Sequence, residues 1–215
     1  MILTVFTFVD AILIHGMGRT PAAMSILAVR LRASNIRPHL FGYSVTFERW
    51  DECIQRLENF IGKRVKTNDY IIVGHSLGTV LTRATLPRLI HKPTACFFLA
   101  PPTQVCKAAR NFAHRRLIQL FIGEIGQVLT NKQFMESLPL PNVPTKIYAG
   151  IAGPRGRYSP FREEPNDGLL TVKETRLPSV PMQTVPALHT FIMNSKVVTQ
   201  DIVRIARSGS IQNGV

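Results

Sequence analysis

Tyr70-Ile71-Ile72-Val73-Gly74-His75-Ser76-Leu77-Gly78 opens as an apolar strand, turns on a G-x-S-x-G pentapeptide, and is followed by a helix-compatible stretch from Thr79 to Leu86. The bare pentapeptide is only moderately specific. Between a strand and a helix it reads as a nucleophile elbow. A strand that turns abruptly into a helix forces the turning residue into strained backbone geometry, and the residues two before and two after then approach too closely for side chains. Glycine at 74 and 78 relieves that collision. The turn lifts the Ser76 hydroxyl clear of the sheet and aims the positive end of the next helix at it, so the Leu77 amide can face a developing oxyanion. Ser76 is the candidate nucleophile.

Outward from the elbow, apolar runs alternate with helical periods, the pattern of a mostly parallel α/β sheet with helices on both faces. A first strand is expected at Val9 to Ile14, broken only by Asp10. Thr20-Pro21 supplies an N-cap and a first-turn proline, and Met24, Leu27, Ala28 and Leu31 recur at helical spacing. A second strand is expected around Pro38 to Tyr43, then a helix striped by Trp50, Ile54, Leu57 and Ile61, with Trp50 packing on the core. Pro87 ends or bends the elbow helix. Ala95 to Ala100 suits a strand buried on both faces. Thr103 to Ser137 is expected to be helical with breaks at Gly123 and Gly126. Thr145 to Ala149 and either Leu169 to Val172 or Met182 to Val185 supply the late strands, and Ser195 caps a closing helix through Ile205, with Gly209 to Val215 frayed.

The chain of 215 residues, 45% hydrophobic, fits one globular domain spanning 1–215. Cys53, Cys96 and Cys106 cannot all pair within one chain and show no metal-ligand spacing, which points to a reduced, cytoplasmic setting. The first fourteen residues are mostly apolar but carry neither a basic n-region nor a small-residue cleavage site, so a retained strand is expected rather than a targeting segment. With 26 Lys and Arg against 13 Asp and Glu, the formal net charge is +13. Such an excess attracts an anionic membrane surface, or it serves as a solvated, solubilising coat. Nucleic acid ranks below lipid because there is no zinc-finger spacing or RNP-like aromatic signature.

An elbow serine needs a base, and the base needs an orienting acid. Among the six histidines, His15 and His75 read as structural, and His39, His91 and His114 lack a matched acid. His189 follows the last plausible strand, in a loop that can project over the sheet edge. Asp167 sits in the turn Pro165-Asn166-Asp167-Gly168. The order Ser76, Asp167, His189 is the chain order in which an elbow serine, an acid after a late strand and a base after the last strand meet at one sheet edge. In the early loop His15-Gly16-Met17-Gly18, the Met17 amide can act as the second oxyanion donor beside Leu77.

His15-Gly16-Met17-Gly18, Gly74 to Gly78, Asn166-Asp167-Gly168 and His189-Thr190-Phe191 together resemble the α/β-hydrolase family, especially its small bacterial lipases and esterases with little or no lid. The resemblance runs from about Ile12 to Ile205. It implies hydrolysis of acyl or lipid esters by Ser76, with His189 as general base, Asp167 as orienting acid and the Met17 and Leu77 amides as oxyanion hole, and it implies no metal or organic cofactor. A thioesterase or acyltransferase would use the same apparatus, and a noncatalytic lipid-binding protein could keep the fold. The segment 103–138 is longer than a lidless core requires. Its apolar residues Phe112, Leu117, Ile118, Leu120, Phe121, Ile122 and Ile125, with Lys107, Arg110, Arg115 and Arg116, read as a cover for the sheet, as a partial lid, or as a basic face resting on lipid.

Overall fold

A computed structural model describes residues 9–66, 69–105, 123–209 and 211. Six strands, β1 (Val9–Ile14), β2 (Ile36–Phe41), β3 (Tyr70–His75), β4 (Ala95–Leu99), β5 (Thr145–Gly150) and β6 (Met182–Val185), form one sheet in the order β2-β1-β3-β4-β5-β6. Every pairing is parallel. The expected α/β architecture is therefore present.

The central strands read as unbroken apolar runs because both faces are covered. Alternate side chains feed two separate cores: Ile12, Ile14, Ile72 and Phe98 on one face, Ala11, Leu13, Val73, Phe97 and Leu99 on the other. Helices α1 (Ser25–Ala33) and α6 (Lys196–Ser208) bury Leu27, Leu31, Val198, Ile202 and Ile205 in the second core. Helices α2 (Trp50–Arg64) and α3 (Leu77–Thr85) bury Leu57, Ile61, Leu77 and Val80 in the first. The helices after β1 and β3 thus leave toward opposite faces. In a parallel sheet that divergence opens a crevice beyond the strand ends.

Several expectations shift. β2 begins at Ile36, ahead of the expected Pro38, and tolerates proline within it because it is an edge strand. Leu169–Val172 forms no strand: Thr171 and Glu174 make a reciprocal capping box that turns Val172–Thr175 into a 3-10 helix, leaving Met182–Val185 as the last strand. Pro21–Met24 is likewise a 3-10 turn, and the Thr20 side chain makes no capping bond. Ser195 does cap α6, which runs to Ser208 and stops at Gly209 in the left-handed region.

Residues 106–122, with Lys107, Arg110, Arg115, Arg116 and most of the expected apolar stripe, lie outside the described residues. After them, α4 (Glu124–Gln127), a 3-10 turn (Val128–Thr130) and α5 (Lys132–Ser137) follow one another. Gly126 lies inside α4 rather than breaking a helix; the break falls at Asn131, whose side chain accepts from the Phe134 amide. This run covers the first core, with Ile125, Leu129 and Met135 buried. Trp50 is only partly buried, and it meets Phe134 edge to face at 5.0 Å.

One polar tie crosses the second face. Lys146 Nζ donates to Asp201 Oδ2 at 2.5 Å, Tyr148 OH donates to the same oxygen at 2.7 Å, and Arg204 Nε holds Oδ1 at 3.1 Å. Burial pushes the Asp201 carboxyl up, but the bonds from Lys146, Tyr148 and Arg204 outweigh it and hold the group below the usual carboxylate range. A depressed folded value contributes stability that is present at neutral pH and lost as pH falls below about 4. Asp201→Ala strands a buried ammonium and is expected to cost ~3 kcal/mol in urea unfolding. Lys146→Met added to it should recover much of the loss. A loss under ~1 kcal/mol would show that the tie is effectively solvated.

Candidate active site

Ser76 is the single residue between β3 and α3, with φ 51° and ψ −119°. That conformation is strained for a residue with a side chain, and it persists because its surroundings hold it. Its amide donates to Leu99 O of β4 at 2.9 Å, and its carbonyl accepts from the Thr79 amide at 2.9 Å and the Thr79 hydroxyl at 2.7 Å. A Cβ at Gly74 would lie 2.9 Å from Gly78 O and the Thr79 nitrogen. One at Gly78 would lie 2.5 Å from Ile14 O. Glycine is required at both positions, for the reason the sequence gives.

The closeness of Gly78 to β1 sets the elbow against the loop His15–Gly18. A Cβ at Gly16 would fall 2.8 Å from His75 Nδ1 and 3.1 Å from Ser76 Cβ. Met17, the next residue, is partly buried, and Leu77 begins α3 fully buried. Leu77 thus follows Ser76 directly, and Met17 follows the Gly16 that packs on it. Tyr43, which nothing in the sequence marks, braces this loop: its ring stacks on His15 with centroids 4.3 Å apart, and its hydroxyl donates to His15 O at 2.9 Å. His15 Nδ1 donates to Gly16 O at 2.9 Å, leaving Nε2 to accept from the Tyr43 amide at 3.4 Å. Burial lowers the His15 pKa, which favours this neutral form.

Asp167 lies in the loop after β5, and His189, expected in a loop, opens the 3-10 helix His189–Asn194 that follows β6. The Asn166-Asp167-Gly168 turn is tied by its own asparagine, whose Oδ1 accepts from Gly168 at 2.9 Å while Nδ2 donates to Pro154 O and Glu164 O. Asp167 Oδ1 accepts the amides of Leu169 and Leu170 at 2.9 and 2.7 Å. Its Oδ2 is 2.7 Å from His189 Nδ1, and the His189 amide donates to Asp167 O at 2.9 Å. Acid and base are both buried, at 1% and 7% exposure. With the carboxylate accepting, the proton sits on Nδ1 and the Nε2 lone pair is free, a tautomer assigned from the partners.

The base loop also touches the elbow. His75 Nε2 is 2.9 Å from His189 O, and the two rings lie with centroids 5.1 Å apart. The structure thus gathers Ser76, Asp167 and His189 beyond the carboxyl ends of β3, β5 and β6. The Ser76 hydroxyl makes no hydrogen bond among the described residues. Such bonds often form only with substrate bound.

The other histidines divide differently from expectation. His39 does have an acid: its Nε2 lies 2.8 Å from Asp10 Oδ1. Asp10 also accepts the Lys66 amide at 3.0 Å, so the pair is a structural tie near the amino end of β1, away from Ser76. The His91 carbonyl accepts from Tyr70 OH, and His114 is outside the described residues. Among the described residues, no three His, Cys, Asp or Glu side chains group as a metal site, and no helix is long and apolar enough to cross a membrane. A hollow of ≈ 460 Å³ between the end of α2 and Leu89–His91 contains none of the elbow, acid or base residues.

The sequence matches no family model and no curated protein. Solved structures do match. The Bacillus licheniformis lipase BlEst2 in mature form superposes with a TM-score of 0.69 at 16% identity, over 95% of this chain and 93% of that one. A lipase-esterase related protein from Clostridium acetobutylicum gives 0.63 at 11% identity, over 91% and 93%. A protein assigned to the alpha/beta hydrolase superfamily from Xanthomonas campestris gives 0.60 at 15% identity, over 93% and 98%. Identities this low carry the architecture and not the activity. Six parallel strands in this order, with a strained serine between the third strand and its helix, are the α/β-hydrolase fold.

Proposed function

We propose that the protein is a serine hydrolase of carboxylic, acyl-type esters. The observation that carries the reading is the buried 2.7 Å contact between His189 Nδ1 and Asp167 Oδ2, at the same sheet edge as Ser76 in its left-handed backbone. Ser76 Oγ attacks the acyl carbonyl as its proton passes to His189 Nε2. The Met17 and Leu77 amides stabilise the oxyanion, the ester C–O bond breaks, and the leaving alkoxide takes the proton from His189. Water then attacks the acyl-enzyme, gives its proton to His189 and releases the acid, and the proton returns to Ser76. Leu169, Leu188 and Phe191 expose apolar side chains within three residues of the acid or base, which suits an apolar acyl or alcohol portion.

Ser76→Ala is expected to lower ester turnover by about 10⁵-fold or more while leaving the fold intact. The measurement is a graded panel of p-nitrophenyl esters together with labelling of the protein by a fluorophosphonate. Wild-type turnover in a clean Ser76→Ala preparation, or a folded wild-type protein that neither turns over nor labels, would remove the reading.

Asp167→Asn tests the orienting role separately. Asparagine keeps the oxygen that Leu169 and Leu170 bond, but its amide would donate to His189 Nδ1, move the proton to Nε2 and leave no acceptor for Ser76. A loss of about 10⁴-fold in kcat is expected, with His189→Ala losing still more. Full activity in both variants would send the acid and base roles elsewhere.

The basic excess supports attraction to anionic lipid as the setting for such substrates. Binding to phosphatidylglycerol vesicles should exceed binding to phosphatidylcholine vesicles and fall as salt shortens the Debye length from about 10 Å toward about 3 Å. Equal binding to both at low salt would leave the charge as a solubilising coat.

A further inference from the structure

We propose that His75 is a positioning residue for the base: its Nε2–H holds the main-chain carbonyl of His189, keeping that imidazole presented to Ser76. The inference deepens the ester-hydrolysis reading and rests on it for its catalytic consequence.

The tautomer follows from the partner. A carbonyl oxygen only accepts, so the 2.9 Å contact between His75 Nε2 and His189 O requires the proton on Nε2. The other ring nitrogen, Nδ1, is buried without a hydrogen-bond partner and faces Gly16, where a Cβ would come within 2.8 Å of it. A second proton would have nothing to bond. Burial first, then the charges of His189, Arg19 and His15, pull the His75 pKa down to about 3. His75 therefore stays a neutral donor while its neighbour His189 exchanges protons.

As filler, this imidazole is a poor choice. An apolar side chain would fill the space between the elbow and the base loop without leaving a buried nitrogen unsatisfied, which is a cost. What the imidazole adds, and leucine would not, is the bond to His189 O. That bond completes a three-point attachment of the base: the His189 amide to Asp167 O at 2.9 Å, Nδ1 to Asp167 Oδ2 at 2.7 Å, and the carbonyl to His75. Two of these points reach back to the acid loop. Only the third ties the base to the strand that ends in the nucleophile. It fixes the spacing between base and nucleophile, the quantity on which proton transfer depends most steeply.

The test compares His75→Leu, which keeps bulk and loses the donor, with His75→Gln, whose amide nitrogen can reach the place of Nε2. For a short soluble ester, His75→Leu is expected to lose between about tenfold and a hundredfold in kcat, with KM little changed, and His75→Gln to recover most of it. Phosphonate labelling of Ser76 should slow in parallel. Wild-type kcat in folded His75→Leu overturns the proposal, as does equal impairment in the two variants, because either result shows that the donor is immaterial. A readout on the unaltered protein needs neither turnover nor a stable variant. Imidazole ¹⁵N NMR should find His75 as a single Nε2–H tautomer that does not titrate between about pH 5 and 8. An Nδ1–H tautomer, or titration in that range, overturns the proposal even in a protein that cleaves no ester. Absence of turnover with the expected NMR signature would instead count against the ester reading while upholding the contact.

Discussion

The site depends on how closely the first turn of α3 can approach the end of β1. Gly78 allows that approach: its missing Cβ would sit 2.5 Å from Ile14 O and 2.8 Å from His15 O. With the helix this near, the elbow lies on the Gly16 loop, and the two segments that end beside Ser76 come from opposite sides of the crevice. Any side chain at 78 would push the start of the helix away from the Ile14–His15 backbone. The fold-level divergence of α1 and α3 toward opposite faces opens the crevice. The glycine contact sets its width at the point where chemistry can occur.

Three histidines lie around this point, and the fold gives them different chemistry. His15 and His75 are buried, neither hydrogen-bonds a carboxylate among the described residues, and each bonds a main-chain carbonyl through one nitrogen. Burial favours the neutral form in both. His189 alone has an acid, itself fixed by the amides of Leu169 and Leu170. On the proposed reading, proton transfer falls to that one ring, while the other two serve as uncharged struts. A charged second ring beside His189 would repel the imidazolium that the proposed reaction forms.

The sequence made legible what depends on local pattern. The elbow, four of the six strands at nearly their full extent, and the chain order of serine, acid and base all follow from apolar runs and turn residues close together in the chain. What it hid depends on register between distant segments. The Asp10–His39 pair exists because β1 and β2 align side by side, with Asp10 opposite Arg37 and Ile12 opposite His39; no spacing along the chain reveals it. Tyr43 looked like the end of a strand, and only the stacking on His15 shows that it braces the loop. Leu169–Val172 misled because two consecutive leucines ahead of a β-branched pair look like a strand, whereas Thr171 and Glu174 satisfy each other's main chain locally and end any extension. His75 was read as structural. Its place in the chain said nothing of the carbonyl that it meets 114 residues later.

The cover over the first core bears on the site through the same loop that Tyr43 occupies. Gly123 packs where a Cβ would lie 2.4 Å from Val45 O, Glu124 accepts from the Trp50 amide at 3.3 Å and pairs with Arg49, and Phe134 meets Trp50 edge to face. These contacts fasten residues 123–134 to the stretch Val45–Trp50, two residues beyond the ring that stacks on His15. A displacement of this cover would bear on the Gly16–Met17 loop by two routes, through Val45 and Thr46 to Tyr43, and through the first core, on which Met17 itself packs. Packed segments transmit such displacements because interiors have little free volume to absorb them. The described part of the cover is thereby packed against the stretch that leads from Tyr43 and buttresses the His15–Gly18 loop from the side of the first core.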